Sequence, residues 1–568
     1  MPSSFQKKSP SFRSANLQSR TADAGGTVAA DALQRRLFLK LMLAGAGSLA
    51  WPYRLGHAQT KETVLRVGMT LSDIPLTTGQ ADGGAEGVRL INRSLYDALL
   101  SWDLSRADRP SGLIPNLAES WSVDDTQKVW RFKLRRGVKY HDGSLFTAHD
   151  VVWNFDKLIK PEAPQYDRSQ ARNAANWLVM VSGARAVDDF TLEITTKEPA
   201  GTLLYDLVNI CMSSPRQWEK LGRDWKKFAF EPSGTGPWKL ASLVPRNRAE
   251  LVRNSEYWNK KQIPQTNRMV LRPMPDATTR VAALLSGQVD FVEALPPDAV
   301  PQVKASGMQV YTNVYPHIWP YMLNHMPDSP FKDIRIRKAA NLAIDRDKLV
   351  KLLRGLAVPA KGMVIPDHPW FGKPTFNIKY DPDAARKLLA EAGYGPKNPV
   401  KVKFLMSTAG SGQMQPLSMN EFIQENMRDV GIDVSLESMD WEALRSRRMA
   451  GAHSPLNKGI HGINYSLTIQ YPIFGIVGQT FHGKNRVAGY NWGNFADPDA
   501  DELAAKSLRE FDIDAQNKRI GELHAYLVDQ AIWIFVVHDM NPLGLASHLK
   551  GFVQAQSWFQ DLTRIRIE

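Results

Sequence analysis

Cysteine is almost missing from this chain of 568 residues, which has only Cys211. One cysteine cannot form a disulfide within the chain, so the core must hold the fold together without covalent help. A zinc site built on several cysteines is excluded for the same reason. No tract of low complexity is present, and 43% hydrophobic and 23% charged residues are typical of a globular protein. A chain of this length has room for two or three domains.

Runs of basic residues interleaved with aromatic ones are absent as well. The formal net charge is +13, but residues 1–58 hold eight Lys or Arg and two Asp or Glu, which leaves a net +7 on the other 510 residues. Nucleic-acid-binding proteins carry a clustered basic footprint, which this chain does not have. We therefore expect no nucleic-acid partner.

No apolar run is long enough to cross a membrane. The most apolar one, residues 41–51, is 11 residues long, whereas a spanning helix needs roughly 20. The residues just before it match the twin-arginine export signal, with Gln34 where a Ser is usual; they are Arg35, Arg36, Phe38, Leu39 and Lys40. Small residues at Gly56 and Ala58 predict cleavage after Ala58.

An export signal of this kind determines where the mature chain resides. No cysteine lies near the cleavage site, so we expect no lipid anchor. The twin-arginine translocase would be a partner during export, and the mature protein would be soluble in the periplasm. The alternative is a buried helix that follows a disordered tail.

Strand and helix patterns alternate along the rest of the chain, which predicts an α/β fold. Residues 63–69 and 129–134 alternate apolar and polar side chains, as strands do. Residues 88–100 and 150–159 are expected to be helices. Asp381-Pro382 and Asp497-Pro498 each combine a capping side chain with a proline, a typical helix start.

One stretch closely resembles a known protein family. It comprises residues 113–121, 130–135, 137–143 and 147–152, and further matching blocks follow in order at 234–237, 253–258, 280–290, 324–346 and 380–394. Together they resemble the extracellular solute-binding proteins of the oligopeptide, dipeptide and nickel type, which is family 5 of the binding proteins that serve ABC importers. The resemblance covers essentially all of residues 60–568.

The resemblance implies a class II periplasmic-binding-protein fold, with two lobes joined by a two-segment hinge and an extra subdomain inserted in lobe I. After the signal peptide 1–58, lobe I is expected at 59–92, 235–318 and 534–568. The inserted subdomain is expected at 93–234 and lobe II at 319–533. A small ligand would lie between the lobes, closure around it would be a hinge motion, and the permease of an ABC importer would be the partner.

Several blocks are better explained by structure than by chemistry. Trp130 and Phe132 are expected in the core. Residues 234–237, Gly-Thr-Gly-Pro, lack the Lys-Ser/Thr of a phosphate loop, and we predict a turn that links two domains. Asp345 and Arg346 are expected to make structural hydrogen bonds. No metal site and no cofactor is predicted.

The class of ligand is limited by the absence of an acidic side chain at the position where peptide-binding relatives have one. In peptide-binding relatives a carboxylate of lobe II pairs with the peptide ammonium, and that position falls within residues 464–472. No acid occurs between Glu442 and Asp497, and a buried ammonium without a counter-charge costs several kcal/mol. We therefore doubt a simple dipeptide and expect a modified peptide, an opine or a sugar conjugate. The candidate ligand-binding residues are aromatic or polar: Trp441, Tyr465, Ser466, Gln470, Tyr471 and Trp319, with His317 as a weaker candidate.

Other functions remain as alternatives. An exported hydrolase would need a nucleophile with its base or a pair of carboxylates, and no such motif is present. We therefore expect no enzyme activity. A periplasmic sensor on the same scaffold and a nickel-chelate ligand stay open, and a monomer is expected. The export signal stands where a transcriptional regulator would carry its DNA-binding helices.

Replacing Arg35 and Arg36 by lysine tests the export signal. The double variant should stay in the cytoplasm as the full-length precursor, because the translocase requires the arginine pair. The wild-type chain should reach the periplasm with Gln59 as its first residue, which mass spectrometry of the fractions determines. Equal export of the two forms would show that residues 35–40 are not the export signal.

Overall fold

The computed structural model describes residues 62–410, 412–483 and 487–568. The export signal and the cleavage site at Ala58 lie outside these residues. The chain from Glu62 to Glu568 forms one compact unit, built from strands and helices that alternate along the sequence.

The strands are numbered in chain order. They are β1 Val64–Met69, β2 Leu100–Trp102, β3 Leu113–Pro115, β4 Ala118–Val123, β5 Val129–Leu134, β6 Val181–Asp188, β7 Thr191–Thr196, β8 Trp238–Val244, β9 Arg248–Arg253, β10 Arg268–Pro273, β11 Phe291–Val292, β12 Gln309–Tyr311, β13 His317–Leu323, β14 Ala357–Pro359, β15 Val400–Ser407, β16 Ile432–Met439, β17 Gly462–Asn464, β18 Leu467–Thr468, β19 Trp533–Asp539, β20 Leu543–Leu545, β21 Leu549–Lys550 and β22 Arg566–Ile567.

The helices of four or more residues lie between them. They are Gly84–Gly87, Val88–Asn92 (a π-turn), Ala148–Ile159, Arg168–Ala174, Leu203–Leu207, Pro215–Lys220, Trp225–Phe230, Ala277–Leu285, Val300–Ala305, Ile334–Leu342, Arg346–Leu352, Pro382–Glu391, Pro416–Val430, Trp441–Ala450, Pro472–Gly475, Val477–Thr480 (3-10), Pro498–Leu508 and Ile513–Asp529.

The first large sheet has the strand order β12-β20-β11-β1-β10-β9-β8. Its centre is parallel, because β1 pairs in the same direction with β10 and β11, and Val67 lies opposite Leu271 and Phe291. The outer strands are antiparallel. All three of these central side chains are fully buried. We call the body around this sheet lobe I.

The second large sheet has the order β14-β19-β13-β17-β15-β16, and β18 adds to β13. Its two central strands, β13 and β19, are antiparallel to each other and buried along their whole length. Parallel strands β15 and β16 are connected by the helix Pro416–Val430, which ends at Gly431 in the left-handed conformation. We call the body around this sheet lobe II.

The chain crosses between the two sheets twice. It leaves lobe I after β12 and enters lobe II at β13, and it returns from β19 to β20. The crossovers are therefore residues 312–316 and 540–542. Because β19 belongs to the lobe II sheet, the return to lobe I comes after Asp539 and not at residue 534 as expected from the sequence. The other domain limits stay predictions.

A smaller antiparallel sheet, β4-β5-β7-β6, lies within the expected subdomain. Trp130 and Phe132 are buried in its core, as predicted. The helix expected at residues 88–100 is shorter: helical turns end at Leu95, and Leu100–Trp102 forms a strand with β3. Pairing with a distant segment overrides the local helical pattern here.

Asp97 links the subdomain to lobe I through a buried carboxylate. It accepts hydrogen bonds from the Tyr257 hydroxyl (2.9 Å), the Trp258 indole (2.9 Å), the Thr235 hydroxyl (3.0 Å) and the Asn116 amide (3.2 Å). Burial raises the pKa of this carboxyl, and the four donors offset part of that effect. Four donors on one anion make this the most fully satisfied buried charge at the junction.

Replacing Asp97 by alanine should lower the free energy of unfolding by about 3 kcal/mol, because four buried donors lose their acceptor together. Urea unfolding followed by fluorescence measures the change. The matched control is Asp125→Ala, since Asp125 is an exposed residue of the same subdomain, and it should behave like wild type. Equal midpoints for the two variants would show that the junction does not depend on this carboxylate.

Candidate ligand-binding site

The lobes meet where the segment after β17 approaches the C-terminal part of the chain. Gln470 of lobe II donates from Nε2 to the Ser557 hydroxyl at 2.9 Å. Its Oε1 accepts from the same hydroxyl at 3.0 Å and from the backbone N–H of Trp558 at 3.2 Å. We call the contact surface between lobe II and the rest of the molecule the seam. The Gln470 side chain makes three hydrogen bonds across it.

Tyr471 extends the seam to the subdomain. Its hydroxyl donates to Oδ1 of Asn209 at 3.0 Å. Its ring centroid lies 4.4 Å from that of Trp177 and 5.8 Å from that of Trp102. The Phe559 ring of lobe I is also near, at 6.4 Å. An apolar ligand group or a planar amide could stack on such rings when the lobes separate enough to admit it.

A second aromatic group lies inside lobe II. The rings of Trp441 and Tyr465 stack with centroids 4.7 Å apart and an angle of 19°. Gly410 has a φ of +142°, and a Cβ there would lie 2.5 Å from the Trp441 ring, so only glycine fits against the indole. The guanidinium of Arg448 lies 4.7 Å from the centre of the Tyr465 ring. Ser466 follows directly and donates its backbone N–H to Gln413 at 3.1 Å.

Trp319 and His317 occupy the first strand of lobe II. Trp319 is fully buried in the core, and its indole N–H donates to the carbonyl of Gln413 at 3.1 Å. The His317 ring packs against both Tyr315 and Trp558, and burial lowers the pKa of His317 to about 3. Both rings are thus engaged in packing.

The six residues proposed from sequence therefore fall into three environments. Gln470 and Tyr471 lie at the seam. Trp441, Tyr465 and Ser466 lie close together within lobe II, and Trp319 lies in the core of that lobe. That they contact a ligand stays a prediction.

The subdomain contributes a further stretch that the sequence did not single out. Around the helix Leu203–Leu207, the Gly201 N–H donates to the carbonyl of Leu508 at 2.7 Å. The Tyr205 ring makes an edge contact with Trp370 at 5.8 Å, and Asn209 binds Tyr471. Three contacts to lobe II thus flank Asp206, whose carboxylate is buried. No sequence signal marks this residue, because the lobe II segments that its neighbours contact are hundreds of positions away.

Two kinds of feature are absent from the part of the chain that the structure describes. Among the described residues, no helix is both long and apolar enough to span a membrane. The same part of the chain brings no three histidine, cysteine or acidic side chains into a metal-binding group.

The sequence matches a known protein family, and the structure matches solved structures of the same fold. The model of "Bacterial extracellular solute-binding proteins, family 5 Middle" matches residues 112–471. The chain is 28% identical over 390 residues to the glutathione-binding protein GsiB of Pectobacterium atrosepticum, covering 67% of this chain and 70% of that one. It is 26% identical over 492 residues to heme-binding protein A of Haemophilus influenzae, covering 82% and 85%.

Solved structures share the fold at low identity. The dipeptide-binding protein of Pseudoalteromonas sp. SM9913, in complex with Met-Leu, superposes with a TM-score of 0.75 at 20% identity and covers 89% of this chain and all of that one. The DppA protein of Helicobacter pylori, in complex with the peptide STSA, gives 0.74 at 20% identity, covering 89% and 98%. The predicted two-lobed α/β fold is confirmed.

Replacing Gln470 by alanine should lower the closed-to-open ratio of the ligand-free protein about 5- to 30-fold, which corresponds to about 1–2 kcal/mol for the hydrogen bonds lost across the seam. Small-angle X-ray scattering would show a larger radius of gyration. Gln424→Ala is the control, since Gln424 bonds only to Val434 within lobe II. An unchanged radius for Gln470→Ala would mean that these bonds do not hold the lobes together.

Proposed function

The chain belongs to family 5 of the bacterial extracellular solute-binding proteins, and we propose that it captures a small organic solute between its lobes in the periplasm. It is the solute-binding component of an ABC importer, and its partner would be the permease of that importer. The relatives are binding proteins and not enzymes, which favours a binding role over hydrolysis.

The observation that carries this proposal is the seam. Gln470 and Tyr471 reach from lobe II to lobe I and to the subdomain, so a solute held here would contact both sides only when the lobes are closed. Such a solute stabilises the closed form by its differential affinity for it. The permease would then receive the closed, loaded protein, and opening would release the solute.

The class of solute follows from the lining. The relatives named above bind glutathione or heme, and the solved neighbours hold peptides. For this chain we propose a peptide-like compound, an opine or a sugar conjugate, since aromatic rings and amides line the seam and lobe II has no acid between Glu442 and Asp497. Export by the twin-arginine route and a monomeric state complete the proposal.

Exporting the full chain, purifying the mature protein from the periplasm and denaturing it should release the solute. Mass spectrometry of the released material should show one small organic compound that rebinds to the refolded protein. The control is the Gln470→Ala variant, which should retain less of it. An empty protein that instead turns over chromogenic esters or peptides would favour the exported hydrolase.

A further inference from the structure

Asp206 is a buried carboxylate whose charge has no partner. It is 3% exposed, and its Oδ1 atom has no hydrogen-bond partner. Within the described part of the chain, no lysine, arginine or histidine offsets the cost of burying it: burial alone acts on the carboxyl and raises its pKa well above the usual range. Buried charges in proteins are normally paired, because desolvation of an isolated carboxylate is costly.

The carboxylate lies at the seam. The contacts of Gly201 with Leu508, of Tyr205 with Trp370 and of Asn209 with Tyr471 surround it. The charge of Asp206 affects the pKa values of two tyrosines of lobe II. Burial raises the pKa of Tyr490, and the Asp206 carboxylate raises it further; it acts in the same direction on the buried Tyr471. Asp206 therefore lies near both tyrosines, which also face buried guanidinium groups: Arg448 near Tyr490 and Arg93 near Tyr471.

The surroundings suit an organic cation. The Tyr471 ring, with Trp177 4.4 Å away, provides aromatic surface near enough to feel the Asp206 charge, and cations are attracted to such rings. Tyr490 is held in place by a hydrogen bond of 2.6 Å from its hydroxyl to the carbonyl of Asn176 in the subdomain. The Asn209 amide contributes a buried Nδ2 donor without a partner, which could bind a carbonyl or hydroxyl oxygen next to the cation.

We propose that Asp206 binds an ammonium group of the transported solute. This inference rests on the proposed function, and it narrows the solute to an amino compound such as an amino acid derivative, a short peptide or an opine. The acid that the sequence lacks between Glu442 and Asp497 is supplied from the opposite wall of the seam. The argument against a free ammonium therefore no longer holds, and a neutral sugar conjugate becomes the less favoured ligand.

Asp206→Asn tests the proposal, since it removes the charge and keeps the shape. The probes are the di- and tripeptides of a casein digest, the same digest with its amino groups acetylated, and the solute released from the periplasmic protein. Wild type should retain compounds from the untreated digest only. Asp206→Asn should bind the retained compound about 30-fold more weakly or worse, as expected when one partner of a buried charge pair is lost.

Two further readouts separate a binding role from a structural one. Binding to wild type should release a proton to the buffer, because the ammonium stabilises the ionised Asp206; calorimetry in two buffers measures it, and Asp206→Asn should release none. The matched control is Asp97→Asn, whose carboxylate has four donors. That variant should melt at a lower temperature and still prefer the untreated digest, whereas Asp206→Asn should not melt lower than wild type.

The outcomes distinguish this inference from the proposed function. Retention of acetylated compounds equal to that of free ones, unchanged affinity of Asp206→Asn, or a natural solute without an amino group would each overturn the role of Asp206 and leave the transport function intact. If the protein neither carries nor retains any compound from any of the three sources, both proposals are wrong.

Discussion

The antiparallel pairing of β13 with β19 determines where lobe II joins lobe I. These two strands are the parts of lobe II that join directly to the crossovers, and Trp319 pairs with Val537 in the middle of a sheet that buries both strands completely. At the end nearest lobe I, the His538 ring bonds to the carbonyl of His317 at 2.9 Å. The two crossovers therefore leave lobe II side by side, which confines motion between the lobes to one short double connection.

The same end of the strand pair is tied to lobe I by stacked rings. The His317 ring stacks on Trp558 at 4.7 Å, and the guanidinium of Arg89 lies 4.9 Å from the Trp558 ring. Arg89 in turn forms a buried ion pair with Glu293 at 2.6 Å. Burial lowers the pKa of His317 to about 3 and that of His538 to about 4. Both histidines are therefore neutral at physiological pH.

Local sequence signals predicted the features that depend on neighbouring residues. The Asp381 side chain caps the helix Pro382–Glu391, as its Asp-Pro start indicated. At residues 234–237 the Thr235 hydroxyl bonds to Asp97, and the Gly236 N–H donates to the carbonyl of Leu95. That this turn links two domains stays a prediction. Arg346 makes the structural hydrogen bonds expected of it, one to the nearby carbonyl of Asn341 and one to the carbonyl of Phe535, which lies 189 residues away.

Most side-chain contacts between segments far apart in the chain could not be predicted from the sequence. Tyr471 and Asn209, which bond across the seam, are 262 residues apart. The relatives predict a counter-charge within residues 464–472 of lobe II, whereas the buried acid Asp206 belongs to the expected subdomain. The sequence also could not show that Trp319 would use its indole N–H inside the core, because that depends on where Gln413 lies.

Asp97 and Asp206 show why an unpaired charge matters for closure. Both are buried aspartates of the same subdomain, yet one has four donors and the other has no counter-charge. Asp97 can stay satisfied in any arrangement of the lobes, because its donors move with it. If Asp206 binds the solute's ammonium as proposed, the empty closed form bears the cost of burying its carboxyl beside Tyr471 and Tyr490. A cationic solute would remove that cost, so it would bind the closed form more tightly than the open form. This difference in affinity would couple binding to closure.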